Sequence, residues 1–261
     1  SVMSSSIVSS PVASLTRLDK LRTSMMGSVF FCMRNARRSK VGALAGNLHR
    51  ALLAIALAVV ATSAGATADA AAPAKPVIVV LGDSLSAEYG LPRDSGWVAL
   101  LKRRLANERI DYSVANASIS GDTTSGGRAR LPELISRLKP SIVIVELGAN
   151  DALRGVPLST TEDNLRTIVK DAQQSKAKVV LVGMYVPANY GPAYTEQFHR
   201  IYGSLAKELD VRLVPFLLAG IENKPDMFQS DQMHPTEQAQ PVLLDNVWPV
   251  LAPLLQRRQV R

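Results

Sequence analysis

From residue 77 onward two patterns alternate along the chain: short unbroken apolar runs, and longer stretches in which apolar residues return every third or fourth position. The runs at 77–81, 142–147 and 178–184 are dominated by Val, Ile and Leu without polar alternation, which predicts strands buried on both faces. Shorter runs at 112–115 and 212–216 predict two further strands. Between them, Trp97, Val98, Leu101 and Leu105 share one helical face. Leu131, Leu134, Ile135 and Leu138 mark a second helix, which stops before Pro140. Ser159 and Glu162 have the spacing of a capping box ahead of Leu165, Ile168, Val169 and Ala172. Tyr194, Phe198, Ile201, Tyr202, Leu205 and Leu209 form the longest helical stripe. The segment after Pro235 reads as a last helix that Pro241, Pro249 and Pro253 must kink or divide.

Strands alternating with helices imply right-handed βαβ crossovers. The expected fold is therefore α/β: a three-layer α/β/α sandwich around a five-stranded parallel sheet. In such sheets ligands bind beyond the carboxyl ends of the strands. The residues that follow each strand are the candidates for chemistry.

The first 76 residues follow different rules. Arg34, Arg37, Arg38, Lys40 and Arg50 precede a short apolar run at 51–60, followed by small residues in an Ala-x-Ala pattern. That order is the signature of a secretory signal peptide, and the run is too short to span a membrane. Cleavage is expected after Ala66 or Ala70. Residues 1–32 are a Ser-, Thr- and Met-rich lead-in, as an upstream start codon ahead of Met33 would give, and 71–76 read as a linker. The expected organisation is a leader, signal peptide and linker over 1–76 and one folded domain over 77–261. The location that follows is periplasmic or secreted.

This division also explains the charge. The 261-residue chain has a formal charge of +8, a value that by itself suggests nucleic acid or an anionic surface. Residues 1–66 hold eight Lys/Arg and one Asp; the remainder holds 22 basic and 21 acidic side chains. The folded part is close to neutral, so a nucleic-acid partner is excluded. The one cysteine, Cys32, lies before the domain and leaves it no disulfide or thiolate metal site.

Polar and glycine residues gather where the strands end. Gly82-Asp83-Ser84-Leu85-Ser86 follows the first, a segment from Asn116 through Gly121 and Asp122 the second, and Gly148-Ala149-Asn150-Asp151 the third. Asp231-Gln232-Met233-His234-Pro235 comes some way after the fifth. A serine in a strand-to-helix turn suits a nucleophile or a helix N-cap. Of three histidines, His49 lies in the leader and His199 beside a helical stripe. His234 is left as a base, with Asp231 three residues earlier able to orient its imidazole; the same pair suits a helix start at Pro235. Gly121 can bring a bare N–H close to a ligand, and Asn150 offers an amide; each is equally at home in a turn. Four such coincidences in this order favour a hydrolytic site.

The strings Gly-Asp-Ser-Leu, Ser-Gly-Asp, Gly-Ala-Asn-Asp and Asp-x-x-His-Pro resemble the four blocks of the GDSL/SGNH hydrolases. Residues 116–123, 145–148, 153–155 and 187–191 are similar to the family's multifunctional periplasmic esterases, which act on acyl thioesters, lysophospholipids and aryl esters. The resemblance spans about 77–255. It implies a flavodoxin-like fold, Ser84 as nucleophile, His234 as base, Asp231 as its orienter and Gly121 and Asn150 as oxyanion donors. It also implies an ester or lipid substrate, no metal or organic cofactor, and a monomer. A carbohydrate O-acetylesterase uses the same blocks and is the alternative. A nucleotide-binding domain is disfavoured, because no Gly-x-Gly-x-x-Gly or Walker pattern follows the first strand. Three residues depart from the family pattern: Glu88 and Tyr89, expected to put a charge near the site mouth, and Ala149 beside Asn150.

Overall fold

The computed structural model describes residues 75–256. The leader, apolar run and cleavage pattern read in 1–74 lie outside the described residues. Five strands make one sheet: β1 (Val77–Gly82), β2 (Ser113–Asn116), β3 (Ile142–Glu146), β4 (Lys178–Val182) and β5 (Arg212–Val214). Their order is β2-β1-β3-β4-β5, and every pairing is parallel. All of β3 is buried, and β1 is buried from Ile78 onward, as continuous apolar strands covered on both faces must be.

Six helices flank the sheet: α1 (Trp97–Asn107), α2 (Thr124–Leu138), α3 (Ala149–Leu153), α4 (Leu158–Gln174), α5 (Pro192–Glu208) and α6 (Gln240–Leu251). α1 packs with α6, while α2 packs with α4 and α4 with α5. This is the expected three-layer sandwich. The long stripe on α5 buries Phe198, Ile201, Tyr202 and Leu205. Among the described residues no helix is long and apolar enough to cross a membrane.

The strand order positions the site. From β1 the chain crosses one way to β2, and every later crossover goes the other way. The loops leaving β1 and β3 therefore part, and a crevice opens at their carboxyl ends. The register sets Gly82 of β1 level with Glu146 of β3, so both strands end at the same height.

Three local expectations are corrected. α4 has no capping box: Pro157 occupies the N-cap position, with its ring holding φ at −55°, and Ser159 already lies in the helix. Glu162 instead pairs with Arg166 at 2.6 Å, one turn along. Pro235 does not start a helix. It bridges Phe228 in an antiparallel pair, and a 3₁₀ turn at Glu237–Ala239 precedes α6. Pro241 then sits in the first turn of α6, where its missing N–H costs nothing, and Pro253 falls in a closing 3₁₀ turn. The short α3, which carries Asn150, has no apolar period to reveal it.

At Gly82 the packing leaves no room for a side chain. A Cβ there would lie 2.8 Å from Glu146 Oε2 and 2.9 Å from both Ser118 Oγ and Ser86 Cβ. Gly82→Ala is expected to destabilise the fold by about 1–3 kcal/mol through overpacking. Urea unfolding measures this, and an unchanged midpoint would contradict the close approach.

Candidate active site

Ser84 follows β1 in a turn made by its neighbour. Asp83 Oδ1 accepts the Leu85 N–H at 3.0 Å, and the Asp83 carbonyl accepts the Ala87 N–H at 2.9 Å. The result is an Asx-stabilised turn. The first regular helix begins only at Trp97, so Ser84 caps no helix. Its hydroxyl is left free to face the crevice.

His234 arrives from a loop between β5 and α6. The Phe228–Pro235 bridge closes that loop, with Gln229 N–H bonded to the His234 carbonyl at 2.7 Å and Thr236 N–H to the Met227 carbonyl at 2.8 Å. Inside it, Asp231 Oδ1 accepts the N–H groups of Met233 (2.9 Å) and His234 (3.0 Å). Asp231 Oδ2 lies 2.7 Å from His234 Nδ1. The His234 backbone N–H, with its imidazole and the Met233 N–H, holds the Asp231 carboxyl down at about 2. An ionised acceptor there places the imidazole proton on Nδ1. Nε2 is then a lone-pair acceptor, 2.9 Å from Ser84 Oγ. The Tyr89 ring lies over the imidazole at 4.4 Å between centroids.

Gly121 and Asn150 line the same cleft as Ser84 and His234. Gly121 has φ of +78°, a conformation that favours glycine. Its carbonyl accepts from Arg154 Nη2 at 2.7 Å. Among the described residues the N–H groups of Ser84 and Gly121 have no acceptor. The Asn150 amide is occupied: Nδ2 donates to Asp83 Oδ2 and to the Asp122 carbonyl, both at 3.0 Å. All five residues predicted from sequence thus converge. A chain of hydrogen bonds runs from carboxylate to imidazole to hydroxyl, with two free N–H groups and one committed amide around the same crevice. This arrangement can deprotonate an alcohol and receive an anion.

The family model for GDSL-like lipase/acylhydrolases matches residues 80–240. The chain belongs to the GDSL-like lipase/acylhydrolase family. It is 50% identical over 182 residues to the esterase TesA of Pseudomonas aeruginosa, covering 70% of this chain and 90% of that protein. It is 44% identical over 184 residues to thioesterase 1/protease 1/lysophospholipase L1 of Escherichia coli, covering 70% and 87%. Among solved structures, a crystal structure of TesA superimposes with a TM-score of 0.67 at 51% identity, covering 69% of this chain and 99% of that one. The psychrotrophic esterase EstA from Pseudoalteromonas, inhibited by monoethylphosphonate, gives 0.65 at 38% identity, covering 68% and 97%. The family fold is the flavodoxin-like sandwich described above.

In this member of the family the cleft beside Ser84 has a volume of about 780 Å³ and a mostly apolar lining that includes Leu153, Met184, Val186, Phe216, Leu218 and Met233. Leu85, Tyr185 and Pro187 also face it. Tyr190 does not; its ring pairs with Tyr194 instead. Tyr185 is held between His199, stacked at 3.7 Å, and the edge of Phe216 at 4.9 Å. Glu88 does not charge the mouth. Its carboxylate turns away and accepts the N–H groups of Asp94 and Gly96, each at 3.0 Å. Among the described residues no cluster of three His, Cys, Asp or Glu could hold a metal ion.

Sequence reasoning missed the residues beneath the site. Glu146 is fully buried; its one sequence signal is an acidic residue ending the apolar run 142–145. Asp83 is 1% exposed and passed for part of a motif string. Arg130 holds the second loop from below, bonding Asp122 and the Ala117 carbonyl. Asp151 caps the start of α2 through Thr124 N–H at 2.8 Å, which ties the Asn150 segment to the Gly121 segment.

The depressed Asp231 carboxyl has a consequence for folding. A carboxyl whose pKa is lowered on folding contributes stability above its ordinary value of 3.8, and that contribution is lost as pH falls toward about 2. Asp231→Asn should remove this part of the acid dependence. Urea unfolding between pH 2 and 5 compares the slopes, and parallel curves for parent and variant would contradict the pairing.

Proposed function

We propose that this chain is a serine esterase that cleaves carboxylic esters and thioesters by two-step acyl transfer. Ser84 Oγ attacks the carbonyl carbon while His234 Nε2 takes its proton. Asp231 keeps the imidazole in the receptive tautomer and stabilises the imidazolium that forms. The oxyanion is received by the N–H groups of Ser84 and Gly121 and by the Asn150 amide. Asn150 shifts one proton from the Asp122 carbonyl, because an anion is the stronger acceptor. His234 then protonates the leaving alcohol or thiol, and water releases the acyl group from Ser84 by the same steps in reverse. The observation that carries this reading is the unbroken chain from Asp231 Oδ2 through His234 to Ser84 Oγ, at 2.7 and 2.9 Å.

The apolar cleft favours acyl chains longer than acetyl, and the relatives named esterase, thioesterase and lysophospholipase point to aryl esters, lysophospholipids and acyl thioesters. The chemistry requires no metal or cofactor. Residues 77–261 form the hydrolase domain in this reading. Residues 1–76 act as leader, signal peptide and linker that deliver it to the periplasm or beyond the cell. Because one chain supplies every group, a monomer suffices.

Ser84→Ala is expected to lower kcat by roughly 10⁴–10⁶ with the fold intact, as seen when members of such a unit are removed. Asn150→Ala should cost about 10²–10³ in kcat. Nitrophenyl ester hydrolysis with circular dichroism as a fold control measures both, and a folded, fully active Ser84→Ala protein would rule out the nucleophile.

A chain-length series of nitrophenyl esters, run beside lysophospholipid and acyl-CoA, should peak at medium or long acyl chains. A maximum at acetyl would transfer the assignment to sugar deacetylation.

A further inference from the structure

Directly below the oxyanion site lie two carboxyls that the acyl-transfer steps do not use. Glu146 ends β3 and is fully buried; Asp83 follows β1 and is 1% exposed. Glu146 Oε2 accepts the Asp83 N–H at 3.2 Å and the Ser86 hydroxyl at 2.8 Å. Ser86 in turn accepts the Trp97 indole N–H at 3.2 Å. Glu146 Oε1 is buried without any donor. The Asp83 main chain thus sets the two buried carboxyls side by side. The Asp83 oxygens take N–H groups, Oδ1 from Leu85 and Oδ2 from the Asn150 amide.

Two ionised carboxylates have only acceptors and cannot hydrogen-bond to each other. Side by side and buried, the two need a proton to avoid facing each other as anions, and the donorless Oε1 is where an O–H can sit. Glu146 is the better carrier. Both Asp83 oxygens accept N–H groups, which favours its charge, whereas Glu146 has an oxygen with no donor.

We propose that Asp83 and Glu146 share one proton and serve as a positioning pair for the oxyanion donor. Glu146, protonated, donates to the Asp83 carboxylate, and Asp83 holds the Asn150 amide and the Ser84 turn in register. The proposal rests on the esterase reading and deepens it. Burial pushes both carboxyls up, Glu146 the further, because the neighbouring Asp83 charge adds to it there. The pair titrates as a unit. The other groups facing it are Asp122 from the loop before α2, His234 from the loop before α6, and Tyr202 from α5, itself raised by burial and by the charges of Glu146, Asp83 and Asp151. None is a fixed cation, so loss of the shared proton leaves two adjacent buried anions with nothing to neutralise them. The loops that carry Ser84 and Asn150 must then part.

The test compares Glu146→Ala and Glu146→Gln with the parent. Glutamine keeps the shape and the donor but cannot ionise. Alanine is expected to lower kcat about ten- to a hundred-fold, less than outright loss of an oxyanion donor, with KM nearly unchanged. Glutamine should restore most of kcat near neutral pH. The parent should lose kcat on the alkaline side as the pair gives up its proton, and Glu146→Gln should lack that limb.

Stability supplies a second readout. A carboxyl raised on folding contributes stability below its unfolded value that is lost as pH rises through its folded value. Thermal unfolding of the parent should therefore weaken from weakly acid pH upward, and Glu146→Gln should flatten that decline. An alkaline limb identical in parent and Glu146→Gln would overturn the proposal, as would equal damage from glutamine and alanine. Should the alanine protein fail to fold, the glutamine pH profile decides alone. Ser84→Ala, assayed alongside, separates the two ideas: an active Ser84→Ala protein ends the esterase reading, whereas an inactive one with an unchanged Glu146→Gln profile ends only the shared proton.

Discussion

A carboxyl buried without compensation is among the most costly features a fold can carry, so its surroundings must answer to it. Glu146 imposes that constraint here. It ends a strand buried along its whole length, level with Gly82 on the neighbouring strand. Its oxygens can be satisfied only by groups from the turn after β1. The Asp83 N–H and the Ser86 hydroxyl both come to it, and only a residue as small as Gly82 lets them approach so closely. The turn that presents Ser84 is therefore shaped from below by a carboxyl that never touches the crevice.

The same constraint links the separate loops. Asp83 reaches on to Asn150 at the start of α3, and Asn150 reaches on to the Asp122 carbonyl beside Gly121. Asp151 caps α2 and closes the ring from the other side. Three strand-end loops are thereby held together by buried and part-buried hydrogen bonds, each stronger than it would be in water and more costly to break. The fourth loop, bearing His234, is built differently. Its shape comes from its own backbone, through the Phe228–Pro235 bridge and the Asp231 turn, and it meets the rest of the site chiefly through Ser84 and the Tyr89 ring. A rigid oxyanion side and a separately made base side fit a reaction in which the base must give and take a proton while the carbonyl stays fixed.

The legibility of these parts follows from their physics. Strands β1, β3 and β4 announced themselves because burial on both faces demands unbroken apolar runs, and α5 because burial on one face demands a period of 3.6. The capping box on α4 misled because Pro157 set the helix start by ring geometry, which leaves Ser159 two residues too far in. Pro235 misled because a proline lacking an N–H suits a bridge edge as well as a helix start. Glu88 misled because its departure from the family pattern suggested a charge at the mouth, whereas the N–H groups of Asp94 and Gly96, six and eight residues on, took up its carboxylate.

Composition, charge partition, the alternation of elements and the four strand-end strings were all written along the chain, because each depends on neighbours a few residues apart. They determined the α/β class, the near-neutral domain and the identity of Ser84, Gly121, Asn150, Asp231 and His234 as candidates. Distances were not written there. That Ser84 and His234, 150 positions apart, lie 2.9 Å from each other depends on a strand order no local pattern encodes. The partnership of Asp83 with Glu146, 63 positions away, has the same origin: the charge of a side chain is a property of its residue, but whether that charge survives is decided by what the fold packs around it.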